Sequence, residues 1–134
     1  MIAVDCNVLA YLLLDGAETP RARALLGIDA DWHSEGVILI ELANVLATAM
    51  RVRRVSMNAS VAVLTQTLGV MEGGLHRADD FEALELAAHF KVSAYDARYL
   101  VVARNLEIKL VTEDAKLRKA APSLTQSLAD AVGY

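Results

Sequence analysis

Cysteine is almost absent from this 134-residue chain. Cys6 stands alone, so no internal disulfide can form, which fits a reducing compartment. Only two prolines occur, Pro20 and Pro122, and no Gly/Ser-rich stretch, low-complexity segment or repeat marks a linker. Length and continuity therefore imply a single domain over residues 1–134. Aromatic residues are only 5% of the chain although 55% is hydrophobic. Ala, Leu and Val dominate, a composition that suits helices packed closely on a β-branched layer. No apolar run reaches the roughly 20 residues needed to span a bilayer. The opening MIAVDCNVLAYLLL is apolar enough to suggest a signal peptide, but it lacks a basic start and Asp5 interrupts it. It reads as a core element of a cytoplasmic protein. Positive charge is also scarce: the net charge of −4 weighs against a simple nucleic-acid-binding module. It weighs less against an enzyme whose acidic groups gather around a cation. With four acidic residues set aside for such a site, acidic and basic side chains balance at 13 each.

The remaining pattern alternates strands and helices. IAVD at 2–5 reads as a short buried strand, followed by a helix through NVLAYLLL. Pro20 suits the first turn of a short helix to Leu26. Ala30–His33 reads as a strand, and Ser34 as the residue before a long helix ending near VRR at 52–54. Ser56 caps a helix over 58–68, Gly73 and Gly74 break the chain, and Asp79 or Asp80 opens a helix through His89. Ser93 caps AYDARYLVVARNL, IKLV at 108–111 is a strand, TEDAKLRKAA turns into a long last helix, and 124–128 closes as a strand. Such alternation implies an α/β fold, with a parallel sheet covered by helices. Ligands in these folds lie beyond the carboxyl ends of strands, where Asp5 and Asp114 fall.

Four carboxylates stand out by context. Asp5 is the only charged side chain among the first 14 residues, and Glu41 the only one between Gly36 and Met50. Asp96 lies in the first turn of an apolar helix, and Asp114 at a strand-to-helix junction. Asp5, Asp96 and Asp114 each have an alternative role as a helix cap or first-turn residue. Glu41 does not: it sits inside its helix, and Val37 and Val45 supply no charged neighbour four residues away. A divalent cation accounts for all four, because Mg²⁺ takes carboxylate oxygens and water without needing His or Cys. Its charge keeps buried carboxylates ionised, and it activates water for phosphodiester hydrolysis.

At these residues the chain resembles the PIN-domain ribonucleases, most closely the toxin subunits of VapBC toxin–antitoxin modules. The likeness is carried by VDCNVLAYLL, LIELANVL and SAYDARYLVVARNLEIKLVTEDAKL, spread from residue 4 to 117; residues 52–92 contribute only helical pattern. It implies a three-layer sandwich with a short central parallel sheet, and a metal site of Asp5, Glu41, Asp96 and Asp114. Asn7 would orient Asp5, and Thr112 would hydrogen-bond near the last carboxylate. Cys6 replaces a small polar residue or Ala, with little expected effect. The implied activity is Mg²⁺- or Mn²⁺-dependent endonucleolytic cleavage of RNA. The implied partners are a second copy in a homodimer and a small antitoxin that covers the acidic site.

Other residues carry weaker signals. Arg51, Arg53 and Arg54 suit a solvated helix end better than an RNA grip. Arg98 is equally placed to meet a phosphate or a neighbouring acid, while Lys116 and Glu113 are expected to face water. Asp79 and Asp80 read as a cap pair, and Tyr95 and Tyr99 as helix-to-sheet packing; in the family their region also belongs to the dimer contact. His33, His76 and His89 lack metal-ligand spacing. Two other functions compete. A phosphatase or phosphoacceptor domain would use Asp5 as nucleophile, but such folds want a further acid near it, and position 7 is Asn. A non-catalytic interaction domain leaves Glu41 without a reason.

Overall fold

The computed structural model describes residues 1–133. Five short strands form one parallel sheet: β1 (Ile2–Val4), β2 (Trp32–Glu35), β3 (Leu75–His76), β4 (Leu110–Val111) and β5 (Thr125–Gln126), in the order β3-β2-β1-β4-β5. Eight helices connect or follow them: α1 (Cys6–Leu13), α2 (Thr19–Ile28), α3 (Val37–Arg51), α4 (Met57–Val70), α5 (Asp80–Phe90), α6 (Ala94–Leu106), α7 (Ala115–Ala120) and α8 (Leu128–Val132). This is the α/β sheet flanked by helices that the sequence implied.

The chain builds outward from β1 to β2 and β3, then returns to the other side of β1 for β4 and β5. Right-handed crossovers place the helices of these two runs on opposite faces. The reversal leaves a crevice beyond the carboxyl ends of β1 and β4, which pair directly with Val4 opposite Val111. The core is aliphatic. Val4, Leu110 and Val111 of the sheet are fully buried with Val8 and Leu9 of α1, Ile38 and Leu42 of α3, and Ala97 and Leu100 of α6.

Several boundaries differ from the sequence reading, for physical reasons. The second strand is Trp32–Glu35 rather than 30–33, and all four of its residues are buried. Ser34 is consequently a strand residue and not a helix cap: its hydroxyl donates to the Val4 carbonyl at 2.7 Å. Helix α3 starts instead at Val37, whose N–H donates to a Glu35 carboxylate oxygen at 3.0 Å. The last helix predicted as long is the six-residue α7, stopped before Pro122, and a further helix, α8, follows Ser127, whose hydroxyl accepts the Asp130 N–H at 3.0 Å. Strand β3 went unread because two residues carry too little periodicity to register.

The glycine pair before β3 has distinct uses. Gly73 takes a left-handed φ of 75°. Gly74 lies against the β2 backbone, where an added Cβ would fall 2.0 Å from the Trp32 carbonyl oxygen. Gly74→Ala should therefore push the edge strand away and destabilise the fold by about 2–3 kcal/mol, read as a lower urea midpoint. An unchanged midpoint would mean that β3 is not held this closely.

Candidate active site

Asp5 follows β1 and caps α1: its carboxylate accepts the Val8 N–H at 3.1 Å. Its other oxygen accepts a short hydrogen bond from the Thr112 hydroxyl. That contact is a product of register, because Thr112 follows Val111 just as Asp5 follows Val4. Thr112 also accepts the Asp114 N–H at 3.1 Å, and Asp114 caps α7 by accepting the N–H groups of Lys116 and Leu117. One buried threonine thus ties the Asp5 carboxylate to the Asp114 backbone. Glu41 comes from α3, in reach of the Tyr99 hydroxyl of α6, which donates to it at 3.1 Å. Asp96 enters from the first turn of α6, where the Ser93 hydroxyl caps its N–H.

These four carboxylates line one cavity of about 210 Å³ together with Cys6, Asn7, Tyr99 and Leu117. No basic side chain is among those lining residues. A larger cleft of about 530 Å³, bordered by Leu86, Phe90 and Leu124, holds no comparable convergence of charge. The capping roles weighed against a functional site are real for Asp5 and Asp114, yet they coexist with it. Capping uses some carboxylate lone pairs and fixes the groups at the cavity.

The electrostatics follow from burial and crowding. Burial pushes the Asp5 carboxyl up to about 6; hydrogen bonds from Thr112 and Val8 oppose this, while the Glu41 charge adds to it. Glu41 is half-buried rather than enclosed, and is raised by desolvation and then by Asp96 and Glu35. Asp96 is likewise raised by burial and by Asp114. The Cys6 thiol is pushed up to about 12 by burial and both neighbouring acids, so in the metal-free protein it remains protonated at neutral pH. Burial also drives the Tyr99 phenol far above its ordinary value, which keeps it a hydrogen-bond donor.

Other expected residues sit differently. Asn7 lines the cavity with an exposed side chain; it is the Asn7 backbone, not its amide side chain, that acts on the Asp5 carboxylate, while the Thr112 hydroxyl donates to it. Arg98 pairs with acids: it donates to Glu35 at 3.0 Å, Asp80 at 2.8 Å and the Ala78 carbonyl at 3.2 Å. Asp79 caps α5, whereas Asp80 serves that ion pair. Glu113 does not simply face water, because it accepts the Leu128 N–H at 2.6 Å. Tyr99 is buried, but Tyr95 is exposed and packs nothing against the sheet. His33 and His76, read as scattered, meet at 2.8 Å across β2 and β3. Glu35 was missed altogether. It is a buried acid ending β2, held by Arg98, and only the corrected strand boundary reveals that it adjoins the site.

The donor chemistry suits a hard, hydrated divalent cation: oxygen ligands, mutual repulsion to relieve, and no lining cation to relieve it. Among the described residues no three His, Cys, Asp or Glu groups are drawn tightly enough to clasp an ion directly. An ion held here would therefore meet the carboxylates partly through its own waters, as Mg²⁺ commonly does when one or two carboxylates bind it. Because the Asp5 carboxyl is raised from 3.8 to about 6, folding favours its protonated form. That stability is fully present below 3.8 and is lost as the pH rises through about 6. Metal-free protein should lose up to about 3 kcal/mol from this group across that window. Asp5→Asn should flatten the slope in urea unfolding; identical slopes in the two proteins would deny the buried charge.

The fold resembles the crystal structure of PAE2754 from Pyrobaculum aerophilum, with a TM-score of 0.78 at 20% identity, over 98% of this chain and 86% of that one. At that identity the likeness concerns the fold alone. No curated protein matches the sequence significantly. No helix among the described residues is long and apolar enough to cross a membrane. A family profile described as the PIN domain matches residues 2–122, a span that includes Asp5, Glu41, Asp96 and Asp114. This chain belongs to the PIN domain family, whose members are generally metal-dependent nucleases.

Proposed function

We propose that the protein is a Mg²⁺-dependent endoribonuclease, with Mn²⁺ as a substitute, acting as the toxin of a type II toxin–antitoxin pair. The observation that carries the reading is the convergence of Asp5, Glu41, Asp96 and Asp114, from four separated segments, on one cavity without a basic lining residue. These four carboxylates would hold the cation. When bound, such an ion supplies Lewis acidity for water activation and stabilises a departing phosphate-ester oxygen.

The remaining work falls to the chain. Thr112 and the Val8 N–H fix Asp5 in one orientation, and the N–H groups of Lys116 and Leu117 fix Asp114. Buried Leu117 contributes an apolar part of the cavity lining. Arg98 stays on its acidic partners, so substrate phosphates would be met at the cavity rim, where Asn7 and Lys116 are exposed. Asp5 is poorly suited to be a nucleophile, because both its oxygens already accept hydrogen bonds. The toxin assignment, the antitoxin over the acidic cavity, the homodimer and a cytoplasmic location rest on the resemblance of the three motif stretches to VapBC toxins. An antitoxin segment bearing Lys or Arg would complement the cavity's charge.

Purified protein should cleave total RNA at discrete sites in Mg²⁺ or Mn²⁺ and stop with chelator. Asp96→Asn should lower the rate at least ~100-fold at an undiminished melting temperature. Cleavage that persists in chelator, or a variant as fast as wild type, would remove the carboxylate-bound cation from the reaction. Expression should arrest growth and be relieved by the small protein encoded beside it.

A further inference from the structure

Glu41 differs from Asp5 and Asp114 in that no backbone N–H donates to its carboxylate among the described residues. Asp5 and Asp114 cap helices and receive backbone N–H groups, and Asp96 lies in a capped first turn. Glu41 sits in the interior of α3, on a long flexible side chain, and its described hydrogen bond comes from the Tyr99 hydroxyl at 3.1 Å. Tyr99 is only 3% exposed. Its ring is locked in the core, three residues beyond Asp96 on α6, so the phenolic oxygen is a fixed point on the cavity wall.

We infer that Tyr99 is a positioning residue: its hydroxyl, anchored in the core, holds Glu41 in the geometry in which it shares a divalent cation with the other carboxylates. This rests on the metal-site reading above and adds a residue to it. Hydrogen bonds behind a ligating carboxylate commonly contribute 10–100-fold to metal affinity. Here the donor comes from the helix that also carries Asp96, so α6 sets the position of two carboxylates at once.

The test is a double-mutant cycle on the intact protein, read as Mn²⁺ affinity by water-proton relaxation rather than as cleavage. Tyr99→Phe keeps the ring and removes the hydroxyl, and should weaken Mn²⁺ binding about 10-fold at a melting temperature near wild type. In a Glu41→Ala background the same substitution should change affinity less than about twofold. Tyr99→Met, a smaller and adaptable apolar side chain without a hydroxyl, repeats the cycle independently of how well the first variant folds. If Glu41→Ala weakens binding while Tyr99→Phe does not, the positioning role is overturned and the metal site stands. Equal losses in both backgrounds would also overturn it, because Tyr99 would then act by some route other than Glu41. If Glu41→Ala binds Mn²⁺ like wild type, the metal-site reading itself fails at this residue.

Discussion

The pairing of β1 with β4 is the contact on which the rest of the site depends. Residues 107 positions apart become neighbours when Val4 lies opposite Val111, and the next residue on each strand then meets the other as Asp5 and Thr112. A slip of one residue would turn Asp5 into the sheet and Val4 toward the crevice, exchanging a buried aliphatic side chain for a buried charge. The aliphatic core therefore enforces the register, and the register delivers the acids. The carboxylates themselves supply no attraction, for each raises the pKa of another: Glu41 acts on Asp5, Asp96 on Glu41, and Asp114 on Asp96.

That opposition gives the fold its division of labour. Hydrophobic burial in Val4, Val8, Ile38, Leu42, Ala97 and Leu100 holds together segments whose charges repel. Caps from backbone N–H groups and the hydroxyls of Thr112, Ser93 and Tyr99 reduce the cost at each carboxylate without neutralising it. The nearby Glu35 shows the other solution. It too is a buried acid, but Arg98 compensates it directly, and the pair fastens α6 to the end of β2. Compensated Glu35 and uncompensated Asp5 stand on neighbouring parallel strands, which separates a structural acid from those left free for a cation.

Much of this was legible in the sequence where local and global preferences agree. Helices α1, α4, α5 and α6 were readable from Asp5, Ser56, Asp79 and Ser93 as caps followed by apolar periodicity. The site acids were readable because charge is rare in their surroundings. WHSE was not legible as a central strand, since three of its four residues are polar. They are buried only because His33 finds His76 and Asp31, Ser34 finds the Val4 carbonyl, and Glu35 finds Arg98, all distant in the chain except Asp31. Reading the strand two residues early also placed Ser34 at the start of the helix and hid Glu35.

By itself the sequence determined where the helices from α1 to α7 lie, that strands alternate with them, and that four carboxylates stand isolated among apolar residues or at element junctions, because caps, periodicity and isolated charge are local properties. Tertiary structure decided what each polar group meets. The Thr112 hydroxyl meets Asp5, Arg98 turns to Glu35 and Asp80, and the Tyr99 hydroxyl meets Glu41. Those choices depend on strand register and on helices brought together across the sheet, and no spacing within one segment encodes them.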